Sequence, residues 1–337
     1  MQASTRRSVA RLSAIDRTLD PELVRRFTEA IDRLHRGGRL GLAVSGGPDS
    51  MAMLLLACAD LPDVEVATVN HGLRPEAVGE CALVVRICAE LAVPCTVIDV
   101  SLERGNLQEQ ARKARYAALG RWAQQQGLEG ILTAHHADDQ AETLAMRLNR
   151  GSGLAGLAGI RASGLVEGCA VPVLRPLLGF RRKELRDLVE GAGVRFASDP
   201  SNADPSFDRV RMRRALAQAD WLDVEAVGRS ARLLDEVRAM VEAMALEDWH
   251  RNRQATQTGF AYAPFAASCV ERKPVWIEVV RCVAKDLGRA LSRSDAARLV
   301  DALRDGRKIN IAGIMAEVEK SDQGRWLFEP EPPRRTG

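Results

Sequence analysis

Two short stretches concentrate residue types that do chemistry. The first is Ser45-Gly46-Gly47-Pro48-Asp49-Ser50. Gly46 and Gly47 carry no β-carbon, so their N–H groups can come close to an anion. A helix that opens at Pro48 loses nothing by the missing proline N–H and adds its positive dipole end. Ser45 and Ser50 offer hydroxyl donors. Asp49 would repel a phosphate unless a divalent cation stood between them, so Mg²⁺ at Asp49 is implied with the phosphate. Two glycines alone would favour an empty strand–helix turn; the full string after an apolar strand argues against that.

The second stretch is His135-His136-Ala137-Asp138-Asp139-Gln140-Ala141-Glu142-Thr143. Asp139, Glu142 and Thr143 are spaced i, i+3, i+4 and share one helix face. Two carboxylates there can hold an ammonium group or a metal ion. Spacing alone leaves plain capping acids and a surface histidine pair equally open. Arg209, Arg211, Arg213 and Arg214 place four arginines in six residues, enough to neutralise phosphates or to form a solvated helix face. Gly151-Ser-Gly153-Leu-Ala-Gly156 matches G-x-G-x-x-G but follows a helix. It is therefore expected to be a turn where backbone passes close to a ligand or another helix, not a dinucleotide fingerprint.

These residues need a scaffold, and the hydrophobic pattern supplies one. Strands are expected at Arg39 to Val44, Asp63 to Asn70, Pro94 to Val100 and Gly130 to Ala134. Helices follow at Asp49 to Cys58, Glu76 to Leu91, Leu107 to Gln126 and Ala137 to Arg150. Repeated β-α units imply an α/β fold: a doubly wound, mostly parallel sheet whose ligands bind beyond the carboxyl ends of the strands. Both chemical stretches fall at such ends. From about Trp221 the pattern becomes helical (Asp223 to Trp249, Pro274 to Leu287, Arg293 to Arg304), and Ile309 to Val318 with Trp326 to Phe328 reads as a closing hairpin. The expected organisation is a lead-in and helix over 1–38, a catalytic domain over 39–220, a smaller, mainly helical domain over 221–330 and a disordered tail over 331–337.

Composition narrows the function classes. No run approaches the roughly 20 apolar residues of a membrane span. The start, Met1 to Leu12, has three arginines and no acid, but no apolar core follows, so a disordered lead-in is expected rather than a secretory signal. Net charge is +3, so any polyanionic partner must be met by local patches. The seven cysteines contain no C-x-x-C pair, against a disulfide framework, a zinc knuckle or an iron–sulfur knuckle. A reducing cytoplasm fits. A homodimer is only the base-rate expectation for such an enzyme.

The S-G-G-x-D-S string resembles the pyrophosphate-loop ATPases, which cleave ATP between its α and β phosphates and transfer AMP; the chain has no G-x-x-x-x-G-K-[ST]. With Asn70-His-Gly-Leu-Arg74, Ala111-Arg-Lys-Ala-Arg-Tyr116, the His135 to Thr143 string, Asn149 to Gly159, Arg175-Pro-Leu-Leu178 and Asp199-Pro-Ser-Asn202, the chain resembles tRNA(Ile)-lysidine synthetase over residues 39–214. The resemblance implies an adenine nucleotide alpha hydrolase-like sheet. It implies that ATP adenylates the carbon-2 oxygen of the wobble cytidine in the CAU anticodon, after which the lysine ε-amine displaces AMP. On this reading Ser45, Gly46, Gly47, Asp49, Ser50 and His71 bind ATP. Asp49 and Asp139 with Arg112 and Arg115 serve catalysis, Asp139 and Glu142 anchor L-lysine, and Arg175, Arg209, Arg211 and Arg213 meet substrate. One departure stands out: the family's R-N-x-x-R has Val210 in place of asparagine. Because longer family members carry extra C-terminal modules, a reduced tRNA-reading apparatus is expected. A tRNA cytidine thiolase would need paired cysteines, a glutamine-dependent synthetase a glutaminase domain, and a non-catalytic nucleotide-binding regulator would leave the carboxylate face without a purpose.

Overall fold

The computed structural model describes residues 19–70, 72, 76–100, 107–198, 204, 206–264, 270–320 and 324–332. His71, Arg74 and the Asp199 to Asn202 segment lie outside the described residues. Helix α1 (Pro21–Leu34) is capped by Asp20, whose side chain accepts from the Glu22 N–H. Its buried stripe of Leu23, Phe27 and Ile31 covers one flank of the core. Then follow β1 (Leu40–Ala43), α2 (Pro48–Asp60), β2 (Val64–Asn70), α3 (Glu76–Glu90), β3 (Cys95–Asp99), α4 (Leu107–Gln125), β4 (Gly130–Leu132) and α5 (Ala137–Asn149). These eight elements match the expected strand–helix alternation to within two residues at each end.

The sheet order is β3-β2-β1-β4-β6-β5. Strands β1 to β4 and β6 (Cys169–Leu174) are parallel, and β5 (Ser163–Val166) closes the edge antiparallel to β6. The chain order reverses at β1 and β4, so the loops after these two strands open a crevice between them. Helix α2 is the most enclosed: every residue from Ser50 to Ala57 is buried. Its apolar run packs with Leu40, Leu42, Val64 and Val66 of the neighbouring strands in one core cluster. Short α6 (Leu154–Leu157), α7 (Arg182–Gly191) and α8 (Asp208–Ala217) complete the unit.

The described chain divides into two compact units at Leu233/Leu234, inside the long helix α9 (Val224–Asn252). The sequence pattern changes earlier, near 220. The second unit holds α10 (Lys273–Asp286), α11 (Arg293–Arg304) and an antiparallel sheet. That sheet is built from β7 (Arg253–Ala255), β8 (Phe260–Tyr262), β9 (Ile309–Ile311), β10 (Ile314–Val318) and β11 (Trp326–Pro330), in the order β7-β8-β11-β10-β9. The expected hairpin is thus three strands of a five-stranded sheet. Trp249, Tyr262, Trp276, Trp326 and Phe328 fill its core. Among the described residues no helix is long and apolar enough to cross a membrane.

Candidate active site

The loop after β1 is bent by Gly46, whose φ of +87° lies in the left-handed region. A β-carbon there would meet the Glu80 carbonyl oxygen at an ordinary 3.4 Å, so it is the left-handed backbone and not crowding that calls for glycine. The Gly46 carbonyl accepts from the Ala197 N–H at 2.8 Å, which ties the loop to the segment after α7. Ser50 closes the turn from within: its Oγ donates to the Gly47 carbonyl (3.0 Å) and accepts from the Ser45 N–H (3.2 Å). Gly47 is the N-cap of α2 and brings no side-chain acceptor. No side chain at the N-cap satisfies the first-turn N–H groups of α2.

The Asp49 side chain stands at the same helix start. Its Oδ1 is buried without a hydrogen-bond partner, and its Oδ2 lies 3.5 Å from His136 Nε2. His136 is fully buried and caps α5. The Asp139 N–H donates to His136 Nδ1 (3.3 Å), and the His136 N–H donates to Asp139 Oδ2 (3.2 Å). His136 Nε2 lies 3.5 Å from both Asp49 Oδ2 and Asp139 Oδ2 and is buried without a hydrogen-bond partner. The neighbouring Asp138 turns away: it accepts from Arg181 and from the Arg182 N–H (2.7 Å), anchoring the start of α7.

Asp139 and Glu142 meet α8. Arg209 donates to Asp139 Oδ1 and to Glu142 Oε2, each at 2.8 Å, and Arg213 donates to Glu142 Oε1 at 2.6 Å. Glu142 is almost wholly buried, so these guanidiniums supply the countercharge that burial demands. Burial would raise the Asp139 carboxyl, but His136 and Arg209 hold it below the ordinary range. Arg209 and Arg213, four apart, share a face. Arg211 lies off it, paired with Asp208 and donating to the Ser206 carbonyl. Val210 is buried and does not border the cavity, so the residue that departs from the family's asparagine packs inward.

On the far side, α4 brings Arg112 and Arg115 against the ring of Tyr116, at 5.0 and 5.2 Å from its centroid. Tyr116 is fully buried and its hydroxyl has no partner. Burial works against its ionisation, yet Arg115, Arg112 and Arg175 lower its pKa. Arg175 is itself buried, donates to the Arg161 carbonyl (2.8 Å) and does not border the cavity. His135 stands 3.1 Å from the Thr133 hydroxyl; burial pushes its pKa down to about 3 despite Asp139, with Arg175, Arg115 and Arg112 adding to the effect.

Part of this set borders a cavity of about 660 Å³, within the range of small-molecule sites. Ser45, Gly47, Asp49 and Ser50 line it together with Arg115, His135, Asp139, Arg209 and Arg213, whereas Glu142 and Arg112 do not. Arg182, Arg186 and Phe196 also border it, and no sequence motif singled them out. Their one signal is the basic run Arg181-Arg182-Lys183, which reads equally well as a solvated helix start. The Gly151 to Gly159 segment is where backbone meets a helix. Gln140 on α5 exchanges two hydrogen bonds with Ile160, and Arg147 donates to the Gly156 and Gly159 carbonyls.

The residues present fit a divalent cation only in part. Asp49 offers a buried, unpartnered carboxylate oxygen, but among the described residues no group of three or more His, Cys, Asp or Glu side chains is arranged to hold a metal. A cation held there would have to take most of its ligands from phosphate oxygens and water.

A glycine-bent loop and an uncapped helix start at the switch point of a parallel sheet define a PP-loop protein, and the model of the PP-loop domain matches residues 19–220. Relatives extend the match to almost the whole chain. The chain is 38% identical over 325 residues to the tRNA(Ile)-lysidine synthase of Zymomonas mobilis, covering 94% of this chain and 96% of the relative. It is 41% identical over 317 residues to that of Novosphingobium aromaticivorans, covering 92% and 94%. The chain belongs to the tRNA(Ile)-lysidine synthase family. Among solved structures, the tRNA thiolase NcsA of Methanococcus maripaludis shares the fold, with a TM-score of 0.53 and 18% identity over 64% of this chain and 79% of that one.

Proposed function

We propose that the chain is an ATP-dependent ligase that converts the wobble cytidine of a CAU-anticodon tRNA(Ile) to lysidine. The observation that carries this reading is the meeting of an anion cradle, Ser45 to Ser50, with the Asp139 carboxylate on one cavity. In the first step the carbon-2 oxygen of the cytosine attacks the α-phosphorus of ATP, an O–P bond forms and pyrophosphate leaves. The free N–H groups at the start of α2 and the Ser45 hydroxyl receive the leaving phosphates. Asp49 would hold Mg²⁺, which when bound neutralises phosphate charge. Arg115 lies where it can meet negative charge developing on the transferred phosphoryl group, and Arg112 and Arg175 reinforce that field from behind.

In the second step the lysine ε-amine attacks carbon 2, a C–N bond forms, the C–O bond breaks and AMP leaves with the oxygen; the amine gives up a proton. The amine must be neutral to attack. Asp139, on the cavity, and Glu142 behind it anchor the amino acid through its α-ammonium group, in competition with Arg209 and Arg213. The partners are ATP, Mg²⁺, L-lysine and tRNA(Ile), in the cytoplasm. A thiolase reading fares worse: of the described cysteines only Cys81 borders the cavity, and sulfur transfer requires a pair.

Withholding lysine tests the order of the steps. With ATP, Mg²⁺ and tRNA alone, pyrophosphate release should accompany an acid-labile AMP adduct on the tRNA, and added lysine should discharge it as AMP. Pyrophosphate release that needs lysine from the outset would contradict this two-step reading.

A further inference from the structure

A second groove, of about 290 Å³, opens between α5 and α8 and is bordered by Met146, Asn149, Arg150, Asp208, Arg211, Met212 and Ala215. It lies outside the cavity described above. Met146, Asn149 and Arg150 follow Glu142 on the same face of α5 by four, seven and eight residues, about 6–12 Å along the helix axis. Helix α8 separates the two sites: Arg209 and Arg213 turn to the carboxylates, while Asp208, Arg211, Met212 and Ala215 turn to the groove.

The chemistry of the groove is specific. Met146 and Met212, both partly buried, and the exposed Ala215 give it an apolar side, and thioethers adapt to flat rings. Asn149 contributes an amide that can both donate and accept. At the rim Arg150 and Arg211 both pair with Asp208. The Arg150–Asp208 pair is 3.8 Å long with both side chains more than half exposed, so exchanging it for another anion costs little. The two guanidiniums thus stand beside an apolar side of a groove large enough to take one base.

We propose that this groove holds an unpaired nucleotide adjacent to the reacting cytidine, with its base over Met146 and Met212 and its phosphate at Arg150 and Arg211. The proposal rests on the tRNA reading above. A single strand presents splayed bases joined by phosphates, which suits an apolar slot with a cationic rim beside the reactive site. Holding the neighbour would fix the register of the reacting base.

The test uses CAU anticodon stem-loop RNA in three forms: intact, abasic immediately 5′ of the reacting cytidine, and abasic immediately 3′ of it. The full-length protein should bind one abasic RNA more weakly than the intact form, by up to about tenfold, the scale of one lost ring–thioether contact. Ala215→Phe, which fills the groove from an exposed position, should bind intact RNA about as weakly and lose nothing further with that abasic RNA. Arg150→Gln, also exposed, should lower the slope of log affinity against log salt by about one. Both variants should release AMP at the parent rate under saturating RNA. Additive losses from Ala215→Phe and the abasic site, or parent-level affinity in both variants, would overturn the subsite while leaving the tRNA reading intact. A parent protein that does not distinguish the CAU stem-loop from unrelated RNA would overturn both.

Discussion

Asp49 combines two properties that rarely coexist without a ligand: a buried carboxylate oxygen with no partner and a position at a helix start that attracts anions. A cation shared with phosphate reconciles them. Asp49→Ala is therefore expected to lower AMP release at least about a hundredfold, while tRNA binding, measured by filter retention, stays near the parent value. Turnover surviving in the variant would remove Asp49 from the phosphate chemistry. Glu142 carries a different load, because Arg209 and Arg213 both lean on it. Glu142→Gln keeps the shape and removes the charge, and should raise the KM for lysine about tenfold or more with ATP binding unchanged. His135 gives the pH signature. Burial holds its pKa near 3, against about 6.5 in an unfolded chain. The unfolded state thus binds the extra proton first, and stability is lost as pH falls from about 6.5 toward 3. Thermal midpoints of His135→Gln should converge on those of the parent, or pass them, between about pH 6.5 and 4.5, above the range where Asp139 protonates. A constant gap across that window would show that His135 does not titrate this way.

At the scale of elements, the parallel core was legible because its strands are short apolar runs punctuated by glycine, proline and helix starts. Strand β6 was not: Pro172 lies within it and lacks the N–H a central strand needs, so the local signal argues against a strand. Strands β7 and β8 are three residues each, too short for periodicity to register. The two chemical strings could be placed at strand ends from sequence. The closure of α8 over Asp139 and Glu142 could not, because the i, i+4 pair Arg209 and Arg213 looks the same on a solvated face as across from buried carboxylates. The Gly151 to Gly159 turn illustrates how tightly backbone and helix fit. Gly159 has φ +68°, and a β-carbon there would meet the Gln140 side chain at 2.5 Å. Gly159→Ala should cost about 1–2 kcal/mol for the left-handed backbone alone, plus the clash. The loss in thermal midpoint from Gly159→Ala should be smaller in a Gln140→Ala background than in the parent. An equal loss in both would mean that the contact with Gln140 is not what fixes the glycine.

The whole molecule joins two units of different design. The first, parallel and doubly wound, carries every residue of the cavity; the second, helical with an antiparallel sheet, has its own aromatic core. Composition foretold the need for local basic patches, since a net charge of +3 cannot by itself recruit a polyanion. Arg182, Arg186, Arg209 and Arg213 lie beside the cavity on α7 and α8, but Arg209 and Arg213 are paired with Asp139 and Glu142, and Arg186 with Glu190. The change of pattern near 220 was visible in the sequence. The packing division at Leu233/Leu234 was not, because one uninterrupted helix runs through it and helical periodicity carries no mark of where its contacts change.

The central claim is that phosphate loop and carboxylate face serve one reaction joining lysine to tRNA. Incubation of the protein with ATP, Mg²⁺, isotopically labelled lysine and CAU-anticodon tRNA measures it directly. Label should become bound covalently to the tRNA, with one AMP and one pyrophosphate formed for each lysine incorporated. ATP cleavage without label on the tRNA, or AMP formation that requires sulfide in place of lysine, would contradict it.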